Sequence, residues 1–450
     1  MIRKILPAFF ALAAGLSHAQ SNPAITSWLQ NTTVTGRHYV SGNSTPIVDN
    51  ALIANVQKVQ YSSGSVYINT MGIPSYVVGP YLDGNRNQAG TQNAIFKFPL
   101  VPTENTGAKV ATTLGNIGIF INGVAMFNFG DAVSWKSSTN AFAGGPTGGT
   151  GDGIWNRDAI VYERLGFDCA KGHPAGTNYH HHQNPSAFDL DLSFISTVCN
   201  LYDADGLYVI DSTKHSPLIG FAYDGFPVYG AYAYENTDGT GNIVRMKSSY
   251  RLRNITQRNK LYTGQSVTAG PDVSTTYPLG SFKEDYEYVT STKSDYLDEH
   301  NGRFCITPEY PEGIYCYFAT VDANWNSAYP YLIGPTFYGT KVVAKVTSIT
   351  ETVSTYTGGT ANTANIKAEI GATVFPNPAN ELIAIQLKGL NSENVKVELL
   401  DISGKLVDEI TIYQGSTIGY FDTRTLYNGT YLVKISGNNF NSSHKVVVAQ

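Results

Sequence analysis

The sequence predicts an all-β protein: a large, mostly antiparallel β domain with long loops, followed by a small seven-stranded β-sandwich. Three observations carry that reading. Charged residues are only 14% of the 450, while Gly (44) and Tyr (30) are abundant, a balance that suits half-buried pleated surfaces joined by many turns. Apolar residues come in runs of strand length bounded by Gly, Pro, Asn and Asp. Long stretches with a helical period are scarce.

Taken in order, residues 1–19 read as a secretory signal peptide. Arg3 and Lys4 form a positive start, Ile5 to Leu16 an apolar stretch, and Ser17-His18-Ala19 a small-x-small cleavage site. The mature chain is expected to begin at Gln20. No later run reaches the roughly 20 apolar residues of a spanning helix, so no transmembrane segment is expected. The formal net charge of −5 becomes more negative once Arg3 and Lys4 are removed, and no basic stripe remains. Nucleic acid is therefore excluded as an expected partner.

Residues 20–346 are expected to form the large β domain. Val66–Asn69, Ala94–Phe98, Ile117–Asn122, Val124–Phe127 and Leu207–Ile210 read as strands. Asn122-Gly123 and Asp224-Gly225, each between two apolar runs, predict hairpins with type I′ turns. Ser137–Gly153 and Thr263–Tyr277 read as surface loops. Residues 347–366 are threonine-rich and read as a linker. Residues 367–450 carry seven short strand-like runs about ten residues apart, the pattern of a small sandwich.

Chemistry concentrates in one stretch. Of nine histidines, His173, His180, His181 and His182 fall within ten residues. In an extended segment His180 and His182 share a face and His181 points the other way. His173, across a Gly/Pro turn, can add a third nitrogen, and His215 is a further candidate. An all-nitrogen set suits zinc or copper, and three imidazoles leave a coordination position open. Asp168 or Glu163 is expected as an outer-sphere acceptor for an imidazole N–H. His181, facing away, is expected to be exposed and dispensable. Cys169, Cys199, Cys305 and Cys316 form two local pairs, which in an oxidising compartment predict disulfides 169–199 and 305–316.

Other chemistries lack their signatures. The sequence has no nucleophile elbow, phosphate-cradling loop or dinucleotide fingerprint. Asp203-Ala204-Asp205-Gly206 lacks the twelfth-position Glu of a calcium loop.

Two resemblances follow from quoted residues. Phe375-Pro376-Asn377-Pro378, then Leu400 to Lys405 with Gly404, then Leu426 to Tyr431 with Gly429, and the final Lys445-Val446-Val447-Val448 resemble the type A C-terminal sorting domain of the type IX secretion system. That resemblance implies the type IX machinery as a partner, and a cell-surface or secreted destination across the outer membrane. Tyr179-His180-His181-His182, with Asp168-Cys169, Gly172-His173-Pro174 and the block His215 to Gly230, resembles the YHYH domain family, with His181 in place of its usual second Tyr. The resemblance identifies a domain without an activity, substrate or extracellular ligand. The alternative reading is a non-catalytic surface binding or adhesion module, glycan-binding for example. Aligning Asp168–Tyr179 with Asp298–Tyr315 pairs Gly172 with Gly302, His173 with Arg303, and Tyr179-His180-His181-His182 with Tyr315-Cys316-Tyr317-Phe318, which suggests an internal repeat.

Overall fold

The computed structural model describes residues 22–40, 46–81, 87–185, 210–342, 344–357, 372–387, 394–401, 405–437 and 441–449. The expected signal peptide, Cys199, Gly404, the Asp203–Gly206 turn and most of the expected strand Leu207–Ile210 lie outside these residues. Strands hold 42% of the described residues and helices 5%, so the all-β expectation is met. Among the described residues no helix is long and apolar enough to cross a membrane. The chain divides into two compact units near residue 358.

The first unit is built on an eight-stranded sheet. Its strands are β1 (Asn116–Phe120), β2 (Ala125–Phe127), β3 (His173–Ala175), β4 (Asn178–His181), β5 (Leu218–Ala222), β6 (Pro227–Tyr229), β7 (Gly302–Cys305) and β8 (Ile314–Phe318). The order β3-β4-β2-β1-β5-β6-β8-β7 is a palindrome once β1 to β4 are matched with β5 to β8. The two halves meet where β1 and β5 pair antiparallel, Phe120 opposite Gly220 and Ile119 opposite Phe221. In both halves the strand ending the hairpin pairs parallel to its outer neighbour, β2 with β4 and β6 with β8.

The correspondence extends to single bonds. Both inner hairpins carry a bulge, after Asn116 and after Leu218. In both turns positive φ falls on the glycine, Gly123 at 79° and Gly225 at 89°. Gly123 N donates to Phe120 O and Phe120 N to Val124 O, matched by Gly225 N to Ala222 O and Ala222 N to Phe226 O. Each loop is thus a type I turn closed by a left-handed glycine, which corrects the expected two-residue type I′ turns. At the junction of the halves, a Cβ on Gly118 would lie 2.6 Å from Phe221 O, and one on Gly220 2.4 Å from Ile119 O. Only glycine lets the two copies approach this closely.

The outer hairpins repeat in the same way. Asp168 N donates to Gly172 O and Lys171 N to Asp168 O; Asp298 N donates to Gly302 O and Asn301 N to Asp298 O. Lys171 and Asn301 both sit at positive φ, 63° and 66°. Tyr179 Oη donates to Asp168 Oδ2 at 2.7 Å, and Tyr315 Oη to Asp298 Oδ1 at 2.9 Å. The suggested repeat is therefore present, and it includes the β1–β2 and β5–β6 hairpins, which sequence reading does not connect.

A five-stranded sheet, ordered Lys345–Val346, Ala94–Pro99, Ser65–Thr70, Val56–Tyr61 and Ser354–Tyr356, packs on the first. Ala94–Pro99 alternates buried and half-buried positions. Its Phe96 and Phe98 meet Tyr223 and Phe221 at ring-centroid distances of 6.1 and 6.3 Å. Full burial of such rings stabilises by about 1.5–3 kcal/mol each. Ser354–Tyr356 pairs with Val59–Tyr61, so part of the expected 347–366 linker is a strand of this unit; β-branched Thr and aromatic Tyr suit a pleated edge.

The second unit has the seven expected strands, Ala372–Phe375 through Asn441–Val448, in sheets of three and four. Ile383, Ile385, Val397, Leu399, Val433 and Ile435 form its core. Asn377 fastens an edge through Nδ2 to Lys445 O at 3.0 Å and Oδ1 from Val447 N at 2.9 Å. Phe375, Pro376 and Pro378 flank it, Gly429 opens the strand Gly429–Ser436, and Tyr431 Oη donates to Tyr427 O at 2.9 Å.

Candidate metal centre

Strands β3 and β4 place His173 directly opposite His180, and the two-residue period brings His182 to the same side. The short helix Ala159–Glu163 begins at Asp158, whose carboxylate accepts from Val161 N at 3.2 Å. The helix ends by turning Glu163 toward the histidines. Burial pushes Asp158 up to about 7, and Tyr331 Oη donates to it at 2.7 Å.

The three imidazoles are buried and offer nitrogens within 4.8 Å of one another. His180 Nε2 lies 3.1 Å from His182 Nε2. Glu163 Oε2 lies 3.0 Å from His182 Nε2 and 3.4 Å from His173 Nε2. His180 Nδ1 faces Asn178 O at 2.9 Å and His182 Nδ1 faces Asn128 O at 2.5 Å. A carbonyl only accepts, so both Nδ1 atoms carry the hydrogen and both Nε2 atoms of the neutral rings point lone pairs at the same space. Two lone pairs at that separation repel unless a proton or cation lies between them. His173 Nε2 and Glu163 Oε2 are buried without a hydrogen bond of acceptable geometry, despite their short separation. Phe127 fixes the His180 plane by stacking at 3.6 Å.

Charges respond to this crowding. Burial, then the neighbouring His173 and His182, holds His180 well below the usual histidine range. Burial also opposes charge on His182, but the Glu163 carboxylate outweighs it and raises the pKa. Burial likewise opposes ionised Glu163, yet His173 and His182 pull it far below the ordinary carboxylate value. Three convergent nitrogens and one carboxylate oxygen fit a divalent ion of the zinc or copper type.

The ligand atoms border a cavity of about 600 Å³ that also touches Asn87, Phe127, Asp131, Arg157 and Tyr162. Arg157 Nε donates to Asp131 Oδ2 at 2.7 Å, and its guanidinium lies 4.4 Å from the Tyr162 ring centroid. Burial raises the Asp131 pKa and outweighs Arg157. Sequence reading misses Asp131, Arg157 and Phe127, because their approach to the histidines arises only from sheet pairing.

Glu163, expected beside the imidazoles, does approach them, with Oε2 3.0 Å from His182 Nε2 and 3.4 Å from His173 Nε2. Several other expectations need correction. Asp168 turns away from the site and accepts from Gly79 N at 2.9 Å, Ala170 N at 3.0 Å and Gly172 N at 3.1 Å, so it shapes the hairpin. His215 lies in another cavity, with Nδ1 2.7 Å from Ser216 O, and burial lowers its pKa. His181 does face away from the pair but is fully buried, because the sheet is covered on that side as well. Its Nε2 lies 2.6 Å from Tyr76 Oη, and burial lowers it to about 3. Cys305 and Cys316 are free thiols. Cys305 lies opposite Ile314 and Cys316 opposite Arg303, so the cysteines are diagonal neighbours and their backbones are not set for a disulfide. Cys169 is buried; its expected partner is Cys199.

Two family models match the chain: one described as YHYH protein over residues 95–330, and one described as secretion system C-terminal sorting domain over residues 373–449. No curated protein matches. The sorting domain marks the chain for type IX secretion to the cell surface or the medium.

Proposed function

Because this chain belongs to the YHYH protein family and carries a type IX sorting domain, we propose that it is an exported metalloprotein holding one zinc or copper ion on His173, His180, His182 and Glu163. The convergence of three buried imidazoles and a carboxylate on one space, two of the rings locked in the ligating tautomer, carries this reading. Bound there, the ion supplies Lewis acidity if zinc, or one-electron chemistry if copper, to a small molecule in the adjoining cavity. The chain's own groups do the positioning. The carbonyls of Asn128 and Asn178 hold the imidazole hydrogens, Phe127 fixes the His180 ring, and Arg157 places a positive charge on the cavity wall.

The test is metal content, measured by mass spectrometry on the mature chain reconstituted separately with zinc and copper, beside a His180→Ala, His182→Ala double variant. One ion per chain is expected in the wild type and none in the variant. A wild type that retains neither metal overturns the proposal and favours a non-catalytic binding module.

A further inference from the structure

The second half of the palindromic sheet has its own cluster at the place where the first half presents histidines. With Gly172 matched to Gly302, His173 corresponds to Arg303, His180 to Cys316 and His182 to Phe318. Cys316 lies opposite Arg303, and Cys305 is two residues beyond Arg303, so all three side chains share one face. Both thiols are fully buried.

Arg303 gives the cluster its chemistry. It is 9% exposed, and its guanidinium donates to backbone carbonyls: Glu235 O at 3.2 Å, Ser294 O at 2.7 Å and Tyr234 O. Among the described residues it makes no ion pair, and its buried Nε has no hydrogen-bond partner. A buried cation whose hydrogen bonds all go to neutral carbonyls favours an anion beside it. The adjacent candidate is Cys305, two residues along the same strand face, with Cys316 opposite Arg303; burial and Cys305 push the Cys316 thiol well above its usual range, so a cation bound there must displace its proton.

We propose that Cys305 and Cys316 form a buried two-thiolate site for a soft monovalent cation of the Cu⁺ class, with Arg303 as its charge partner. Thiolates select soft cations. Two thiolates, one monovalent cation and one guanidinium sum to zero charge. A structural zinc ion would require four ligands, and the matched positions supply Phe318 and Arg303 instead.

The test offers Cu⁺ anaerobically to the reduced mature chain in competition with a bicinchoninate chelator, and reads the ligands by X-ray absorption. One equivalent with two sulfur neighbours is expected. Cys305→Ser and Cys316→Ser should each abolish it, and Arg303→Met should weaken it by about 10- to 100-fold. The His180→Ala, His182→Ala variant should keep it, which separates this site from the histidine centre. Isolation of the wild type with a 305–316 disulfide, or Cu⁺ bound through nitrogen or oxygen alone, overturns the proposal. The wild-type absorption spectrum decides even if a serine variant fails to fold.

Discussion

Metal binding at the histidine centre should raise the melting temperature of the first unit and leave that of the sorting domain unchanged. A ligand that binds only the folded state at one hundred times its dissociation constant stabilises by about 2.7 kcal/mol. Unfolding entropy is about 2.1 cal/mol/K per residue near 60 °C, so a body of roughly 330 residues unfolds with about 0.7 kcal/mol/K. The expected shift is therefore about 4 °C. Differential scanning calorimetry of the mature chain in chelator, zinc and copper measures it. The shift should shrink as pH falls, because Glu163 raises the His182 pKa and the ion must displace that proton. The reasoning is refuted if neither metal moves the first-unit transition, or if the His180→Ala, His182→Ala variant shifts as much as the wild type.

Two further outcomes follow from buried groups. His181→Ala should cost about 3 kcal/mol in urea unfolding, from the cavity and the orphaned Tyr76 hydroxyl. His181 titrates at about 3 when folded and near 6.5 when unfolded. The unfolded chain therefore takes up the proton first as pH falls, the wild type loses stability between those values, and the variant should show a shallower acid limb. Asp168→Asn and Asp298→Asn should each cost about 2–4 kcal/mol, because an amide NH₂ meets backbone N–H donors. Only Asp168→Asn should also weaken metal retention, since its hairpin carries His173; equal losses in both variants would contradict this.

Much of the architecture was legible in the sequence because it rests on local patterning. The seven strands of the sorting domain fall where alternation and spacing place them, and its motif residues have local roles, such as Asn377 closing an edge. The shared face of His180 and His182 follows from the period of a strand. What was not legible depends on pairing at a distance. Glu163 is a sequence candidate beside the imidazoles, but the short helix capped at Asp158 that brings it to two nitrogens at once is not written in the spacing. His181 was misjudged because alternation gives the side of a strand and says nothing about what covers it. The 305–316 disulfide failed on register, since two cysteines near one turn need not lie directly opposite. The repeat was read only where Asp-x-x-x-Gly and Tyr survive; Ile117-Gly118 and Asn122-Gly123 also match Ile219-Gly220 and Asp224-Gly225 at the same spacing, a signal the sequence reading left unused.

The palindromic sheet also divides labour. A symmetric homodimer built from such halves would hold two identical sites, and every substitution would strike both. Joined in one polypeptide, the halves vary separately. One keeps the imidazole cluster, and the other fills the matching positions with Arg303, Cys316 and Phe318. The seam at Gly118 and Gly220 has no such freedom, because a side chain on either would push the other half away. Variation should therefore be least tolerated at the centre of the sheet, well away from either cluster.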